Sequence, residues 1–149
     1  SLWRYFKCCY CTYRTNTKRY LSMETIGDTT MNDVLIESIL GSVKKQVNVA
    51  PECTSFDEDL VMYINAQLAI LNDIGVGTDG FTISDNTSTW ADFIPDNVAL
   101  ANLARTYTGT KVKIIFDPPT SSIVLEASKN YATELEWRMS EKVKLLQEE

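Results

Sequence analysis

The chain has 149 residues, of which 44% are hydrophobic and 23% are charged, with four cysteines and no histidine. This composition is typical of one folded domain and excludes collagen-like, low-complexity and disulfide-dense proteins. The lack of histidine excludes Ser-His-Asp and Cys-His catalysis and histidine metal sites. No apolar run approaches the ~20 residues that a membrane-spanning helix needs.

Charge is distributed unevenly along the chain. Residues 1–22 hold five of the 14 basic residues and no acidic residue, so residues 23–149 hold nine basic and 20 acidic residues, a net charge of −11. A protein that binds DNA replaces the counterions of the phosphates with lysine and arginine side chains. The excess of acidic residues in 23–149 therefore argues against DNA binding. We expect residues 1–30 to be a basic, Cys- and Tyr-rich extension, either artefactual or disordered. Residues 31–149 are expected to form one helical domain that starts at Met31.

The cysteines and acidic residues do not predict a chemical site. Cys8, Cys9 and Cys11 lie together and Cys53 stands alone, whereas structural zinc sites usually draw four ligands from separated pairs. No secretory signal precedes them, so we expect reduced thiols, with Cys53 as a packing residue. The acids at 57–59 suit the positive end of a helix. The sequence therefore predicts no catalytic, cofactor-binding or metal-binding residue.

Apolar spacing predicts two helices in the first half of the chain. Residues 33–47 place apolar residues three or four positions apart, which is typical of a helix. A second helix is expected from Ser55 to about Ile74. A capping box between Ser55 and Glu58 opens this helix, and Gly75 ends it in the left-handed conformation.

Residues 75–95 are rich in turn-forming residues. Phe81 and Ile83 alternate with polar residues, which predicts a short strand, so a hairpin or loop follows the second helix. Trp90 and Phe93 lie three residues apart. We expect these two side chains to pack beneath the loop as a small satellite core.

The third long helix is expected to begin near Asn97, with Asp96 as its cap. Residues 106–116 could complete this helix or form a strand. The alternation of Val112, Ile114 and Phe116 slightly favours a strand on local grounds.

The last helix follows the break at Pro118 and Pro119, where neither residue can donate a backbone hydrogen bond. It is expected from Ser121 or Ser122 to about residue 146. Its apolar residues step by four along one stripe, namely Ile123, Ala127, Tyr131, Leu135 and Met139. Trp137 lies on the polar side of this helix, which indicates a partner surface or packing on another part of the chain.

Four stretches resemble the head–tail connector (adaptor, or head completion) proteins of tailed phages. They are LVMYINAQLAILNDIGVG at 60–77, WADFI at 90–94, KVKIIFDPP at 111–119 and ELEWR at 134–138. With the first helix, the resemblance spans about 31–149. It implies an all-α bundle of about four helices, with a short hairpin or loop after the second helix and a long C-terminal helix. It also favours helix at 106–116.

The resemblance implies a structural virion protein rather than an enzyme. Such proteins form a ring, usually of twelve subunits, that docks below the portal, extends the DNA channel and receives the next head-completion or tail protein. We therefore expect a location at the head–tail interface of the virion, after assembly in the host cytoplasm. DNA is expected to pass without specific binding, and neither a cofactor nor a membrane is involved.

Two places on the chain are candidates for contact with these partners. One is Trp137 with Arg138 on the last helix, and the other is the loop region that holds Trp90 and Phe93. The alternative function is a nucleic-acid-binding DNA-packaging factor, similar to a small terminase subunit. That function needs a basic recognition helix, and strong basic character is confined to the first 22 residues.

Overall fold

The computed structural model describes residues 33–148 of the chain. Within this range the chain forms helices and no strand, and no helix is long and apolar enough to cross a membrane. The helices are α1 (Asp33–Ile36), α2 (Ile39–Gln46), α3 (Asp57–Asp73), α4 (Trp90–Phe93), α5 (Val98–Phe116) and α6 (Ser122–Gln147). The predicted all-α fold is confirmed. The predicted N-terminal extension and the start at Met31 lie outside the described residues.

Helix α5 is the centre of the fold, because each of the other five described helices packs against it. Asn97 caps its start by accepting a hydrogen bond from the Leu100 backbone at 2.9 Å. The segment 106–116 is helical throughout, so the local preference for a strand is wrong there. The prediction failed because α5 is enclosed on most sides. Such a helix carries apolar residues around its whole circumference and lacks the single apolar stripe by which a helix is recognised in sequence.

The first predicted helix is broken between α1 and α2, where the chain pairs with the later loop. The Ile39 N–H donates to the Ser88 carbonyl at 3.0 Å, and the Trp90 N–H donates to the Glu37 carbonyl at 3.2 Å. The Ser38 hydroxyl then caps α2. Backbone hydrogen bonds between residues about 50 positions apart thus interrupt the helix that the apolar spacing predicts.

Helix α3 begins at Asp57, and no side chain caps it, so the predicted capping box is wrong. Asp57 is held instead by Lys44, whose Nζ lies 2.6 Å from its Oδ1. Lys44 is only 3% exposed, and its ammonium also donates to the Cys53 carbonyl at 3.0 Å. This buried cation ties the end of α2 to the start of α3. At the other end, Gly75 adopts φ +86°, the left-handed conformation predicted for it.

The connection between α2 and α3 contributes to the core. Val49, Ala50 and Cys53 are all buried, and Asn48 turns the chain with φ 59°, a conformation that asparagine tolerates. Cys53 is therefore a packing residue, as expected. Its sulfur also forms a disulfide, so the expectation of reduced thiols is wrong at this position.

The segment 74–89 forms the predicted loop, without the predicted strand. Asn65 of α3 takes the role of a strand partner, because its Nδ2 donates to the Ile83 carbonyl at 2.9 Å and its Oδ1 accepts from the Ile83 N–H at 2.8 Å. Ile83 is buried, and the Phe81 and Phe93 ring centroids are 5.4 Å apart. The apolar alternation therefore reflects a loop packed onto the core.

Helix α6 contributes buried side chains only from Ala132 onward. Its buried side chains are Ala132, Leu135, Met139 and Val143. No side chain is buried between residues 122 and 131, and Ile123 is 80% exposed. The predicted apolar stripe therefore does not enter the core at Ile123, Ala127 and Tyr131. A groove separates α6 from α5 at this end.

Replacing Lys44 by alanine should lower the free energy of unfolding by about 2–3 kcal/mol, because it leaves the Asp57 carboxylate without its cation. Lys45→Ala is the matched control. The Lys45 side chain is 64% exposed and pairs with Glu37, so its removal should cost less than about 1 kcal/mol. Urea unfolding followed by circular dichroism measures both effects. Equal unfolding midpoints for the two variants would show that the buried ion pair does not stabilise the α2–α3 junction.

Candidate partner interface

Trp137 lies on the outward side of α6 and is 62% exposed. The rotation of 100° per residue places it about 200° around the helix from the buried Leu135. Tryptophan is enriched among the residues that dominate binding energy at protein interfaces. The structure therefore leaves a large aromatic side chain free for contact with a partner.

Arg138 is the neighbour of Trp137 and forms an exposed ion pair with Glu134, one turn earlier. Its Nη2 lies 2.7 Å from the Glu134 Oε1, and the two side chains are 56% and 51% exposed. An exposed pair of this kind contributes little to folding stability. Arg138 can therefore exchange Glu134 for an acidic group on a partner at small cost.

Trp90 and Phe93, the other two predicted contact residues, are fully buried within the subunit. The indole Nε1–H of Trp90 donates to the Ser42 hydroxyl at 3.0 Å, and the Trp90 and Phe93 ring centroids are 6.5 Å apart. The two side chains pack together as expected, but they belong to the main core and do not form a separate satellite core. These two side chains hold the loop in place and do not reach the subunit surface.

A reciprocal cap fixes α4 and thereby points Trp90 inward. The backbone N–H and the hydroxyl of Thr89 donate to the Asp92 Oδ2 at 2.7 and 2.9 Å. These hydrogen bonds favour the ionised carboxylate and lower the pKa of Asp92. This cap was not predicted, although the Thr-x-x-Asp spacing at 89–92 is the sequence pattern of a capping box.

A polar contact between α5 and α6 lies under the exposed face of α6. The Tyr107 hydroxyl donates to the Glu136 Oε2 at 3.1 Å. Burial, followed by the negative charge of Glu136, raises the pKa of Tyr107. The phenol therefore stays protonated at neutral pH and acts as a hydrogen-bond donor between the two helices.

An open groove of about 560 Å³ lies between the end of α5 and the first half of α6. Its lining includes Lys113 and Ile114 of α5, Pro119 of the connection, and Val124 and Tyr131 of α6. We call it the α5–α6 groove. The sequence analysis missed it because Tyr131 falls on the same four-residue period as the truly buried Leu135 and Met139.

A second exposed apolar surface runs along α3. Met62 is 57% exposed and Ile70 is 36% exposed. We define the α3 stripe as the exposed residues Glu58, Met62, Ala66, Ala69, Ile70 and Asp73. The sequence analysis assigned only the inner stripe of this helix, because an apolar residue on the outer side looks the same in sequence.

Residues 33–148 contain no group of three or more cysteine, aspartate or glutamate side chains placed to hold a metal ion. The exposed apolar features described in this range are the face around Trp137, the α5–α6 groove and the α3 stripe.

The phage connector protein family matches residues 39–144 of the chain, from α2 almost to the end of α6. The chain belongs to the phage connector protein family. The predicted head–tail connector family is thus confirmed. Neither the curated proteins nor the solved structures include a match to this connector.

Family membership gives the broad function of this connector. Phage connectors are structural proteins and not enzymes. Membership gives the chain a role at the head–tail junction, a location in the virion and contact with portal or other head–tail components.

Proposed function

We propose that this connector forms a ring below the portal, extends the DNA channel and receives the next head-completion or tail protein. The observation that carries the proposal is the family match over residues 39–144, since this range includes all three exposed contact surfaces. A closed ring of identical subunits needs two different, complementary surfaces on each subunit. Because the proteins that the chain resembles usually form rings of twelve, we expect twelve subunits in the virion, assembled in the host cytoplasm.

We assign the contact with the portal to α6. This helix has 26 residues, which corresponds to about 39 Å at 1.5 Å per residue. Its residues 122–131 have no buried side chain, and its second half presents Trp137 and Arg138 outward. A long helix with an exposed tryptophan and an exchangeable arginine suits a partner surface that combines an apolar pocket with acidic groups.

The charge of the chain supports passage of DNA without specific binding. Residues 23–149 carry a net charge of −11, which repels the phosphate backbone and offers few cations to replace its counterions. A ring of such subunits therefore provides a channel to which DNA does not adhere.

The direct test mixes the full chain with rings of the portal protein of the same phage and images the product by electron microscopy. We expect added density that forms a collar at the narrow end of the portal. Portal rings that stay bare at saturating connector concentration would overturn the proposal. If the chain then also shifts duplex DNA in a gel, the DNA-packaging factor becomes the better function, since residues 1–22 carry five basic residues and no acid.

Replacing Trp137 by alanine should weaken binding to portal rings by about tenfold or more, as expected for an exposed tryptophan at the centre of an interface. The same change should alter the free energy of unfolding by less than about 0.5 kcal/mol, because the indole makes few contacts within the subunit. Cosedimentation with portal rings measures the first effect and urea unfolding the second.

Ile115→Ala provides a matched control for loss of an exposed apolar side chain, since Ile115 is 49% exposed on α5 and belongs neither to α6 nor to the lining of the groove. Portal affinity of Trp137→Ala equal to that of the unaltered chain would remove Trp137 from the portal interface.

A further inference from the structure

We propose that the α3 stripe of one subunit docks into the α5–α6 groove of its neighbour, and that this pairing is the subunit contact of the ring. The inference rests on the proposed function and adds the residues that hold neighbouring copies together. The occupant of the groove is a second copy of this chain.

The groove is suited to receive an apolar helix face that carries negative charge. Ile114, Pro119, Val124 and Tyr131 supply apolar walls, and Lys113 supplies a cation. Lys113 has no ion-pair partner among residues 33–148. The acid in the lining, Asp117, already has an interaction within the chain. The groove therefore combines exposed apolar area with an unused positive charge.

The α3 stripe has the complementary character. Met62 and Ile70 project from it, and Glu58 and Asp73 lie at its two ends without an ion-pair partner among the described residues. Helix α3 contains four acidic residues and no basic residue, whereas α5 contains three basic residues and no acidic residue. Attraction between opposite charges fixes the register of an interface, and like charges brought together oppose binding.

The spacing of the stripe matches a known mode of recognition. Residues 62, 66, 69 and 73 follow one another at intervals of four, three and four residues, with Ile70 beside Ala69. The anchors of an amphipathic helix that lies in an apolar groove have the same spacing. Ala66 and Ala69 are small, so the helix can approach closely between the larger Met62 and Ile70. Docking would remove Met62, Ile70, Val124 and Tyr131 from water together.

The pairing joins two different surfaces, so each docked subunit keeps a free stripe on one side and a free groove on the other. Contacts of this kind propagate in one direction and close into a ring when the rotation between subunits allows it. The pairing thus accounts for ring growth with one repeated contact. It also leaves Trp137, which does not line the groove, available for the portal.

Charge reversal tests the pairing. Lys113→Glu makes the groove negative, and the double variant Glu58→Lys with Asp73→Lys makes the stripe positive, so each set of subunits repels its own neighbours. The triple variant that combines these changes restores opposite charges at every contact. Lys129→Glu is the matched control, because Lys129 is exposed on α6 and does not line the groove. Circular dichroism melts establish that each variant folds.

The number of full-length connector subunits bound per portal ring, measured by native mass spectrometry, is the readout. We expect complete collars for the unaltered chain, the Lys129 control and the triple variant. We expect incomplete collars for the groove variant and the stripe variant, with about tenfold higher concentration needed for completion. Complete collars from both variants at the normal concentration would overturn the pairing while the proposed ring stands. Bare portals with the unaltered chain would overturn the proposed function, and the pairing with it.

Discussion

The fold of this connector depends on the enclosure of α5 by the five other described helices. A helix in that position must let its neighbours approach closely, and Gly109 shows how closely. A Cβ atom added there would lie 1.9 Å from the Gln46 Oε1, so the end of the Gln46 side chain of α2 lies directly against the α5 backbone. The Tyr107 hydroxyl of α5 finds its hydrogen-bond partner inside the fold, in Glu136 of α6.

The outer helices α3 and α6 carry apolar residues on two sides, and only one of these sides faces α5. One side of α3 and the second half of α6 cover α5 and are buried. The outer side of α3, with Met62, and the groove side of α6, with Tyr131, stay exposed in the single subunit. Exposed apolar surface is typical of proteins that assemble, and the phage connector family assigns this chain to an assembly. We propose that the same helices that build the subunit also provide its contact surfaces.

The sequence was sufficient to predict the helical fold and the break at Pro118 and Pro119. It predicted that Trp90 and Phe93 pack beneath the loop, but it also offered them for contact with a partner, and both side chains are fully buried. Errors arose where distant residues decide local structure. The predicted strand around Ile83 depends on Asn65 of α3, which binds its backbone and leaves a loop. Tyr131 shares a period with Leu135, and only the position of α5 decides that one is exposed and the other buried. Trp137 could be proposed as exposed because its helical neighbours are polar.

If the proposed contacts form, the exposed apolar surfaces of this subunit become buried in the assembled connector. Hydroxyl-radical footprinting of the full chain, alone and bound to portal rings, tests it most directly at Met62, Tyr131 and Trp137. Trp90, which is fully buried in the subunit, serves as the internal reference. We expect oxidation of the three exposed residues to fall several-fold on assembly, while oxidation of Trp90 stays low. Unchanged oxidation of all three in a complete portal complex would contradict it.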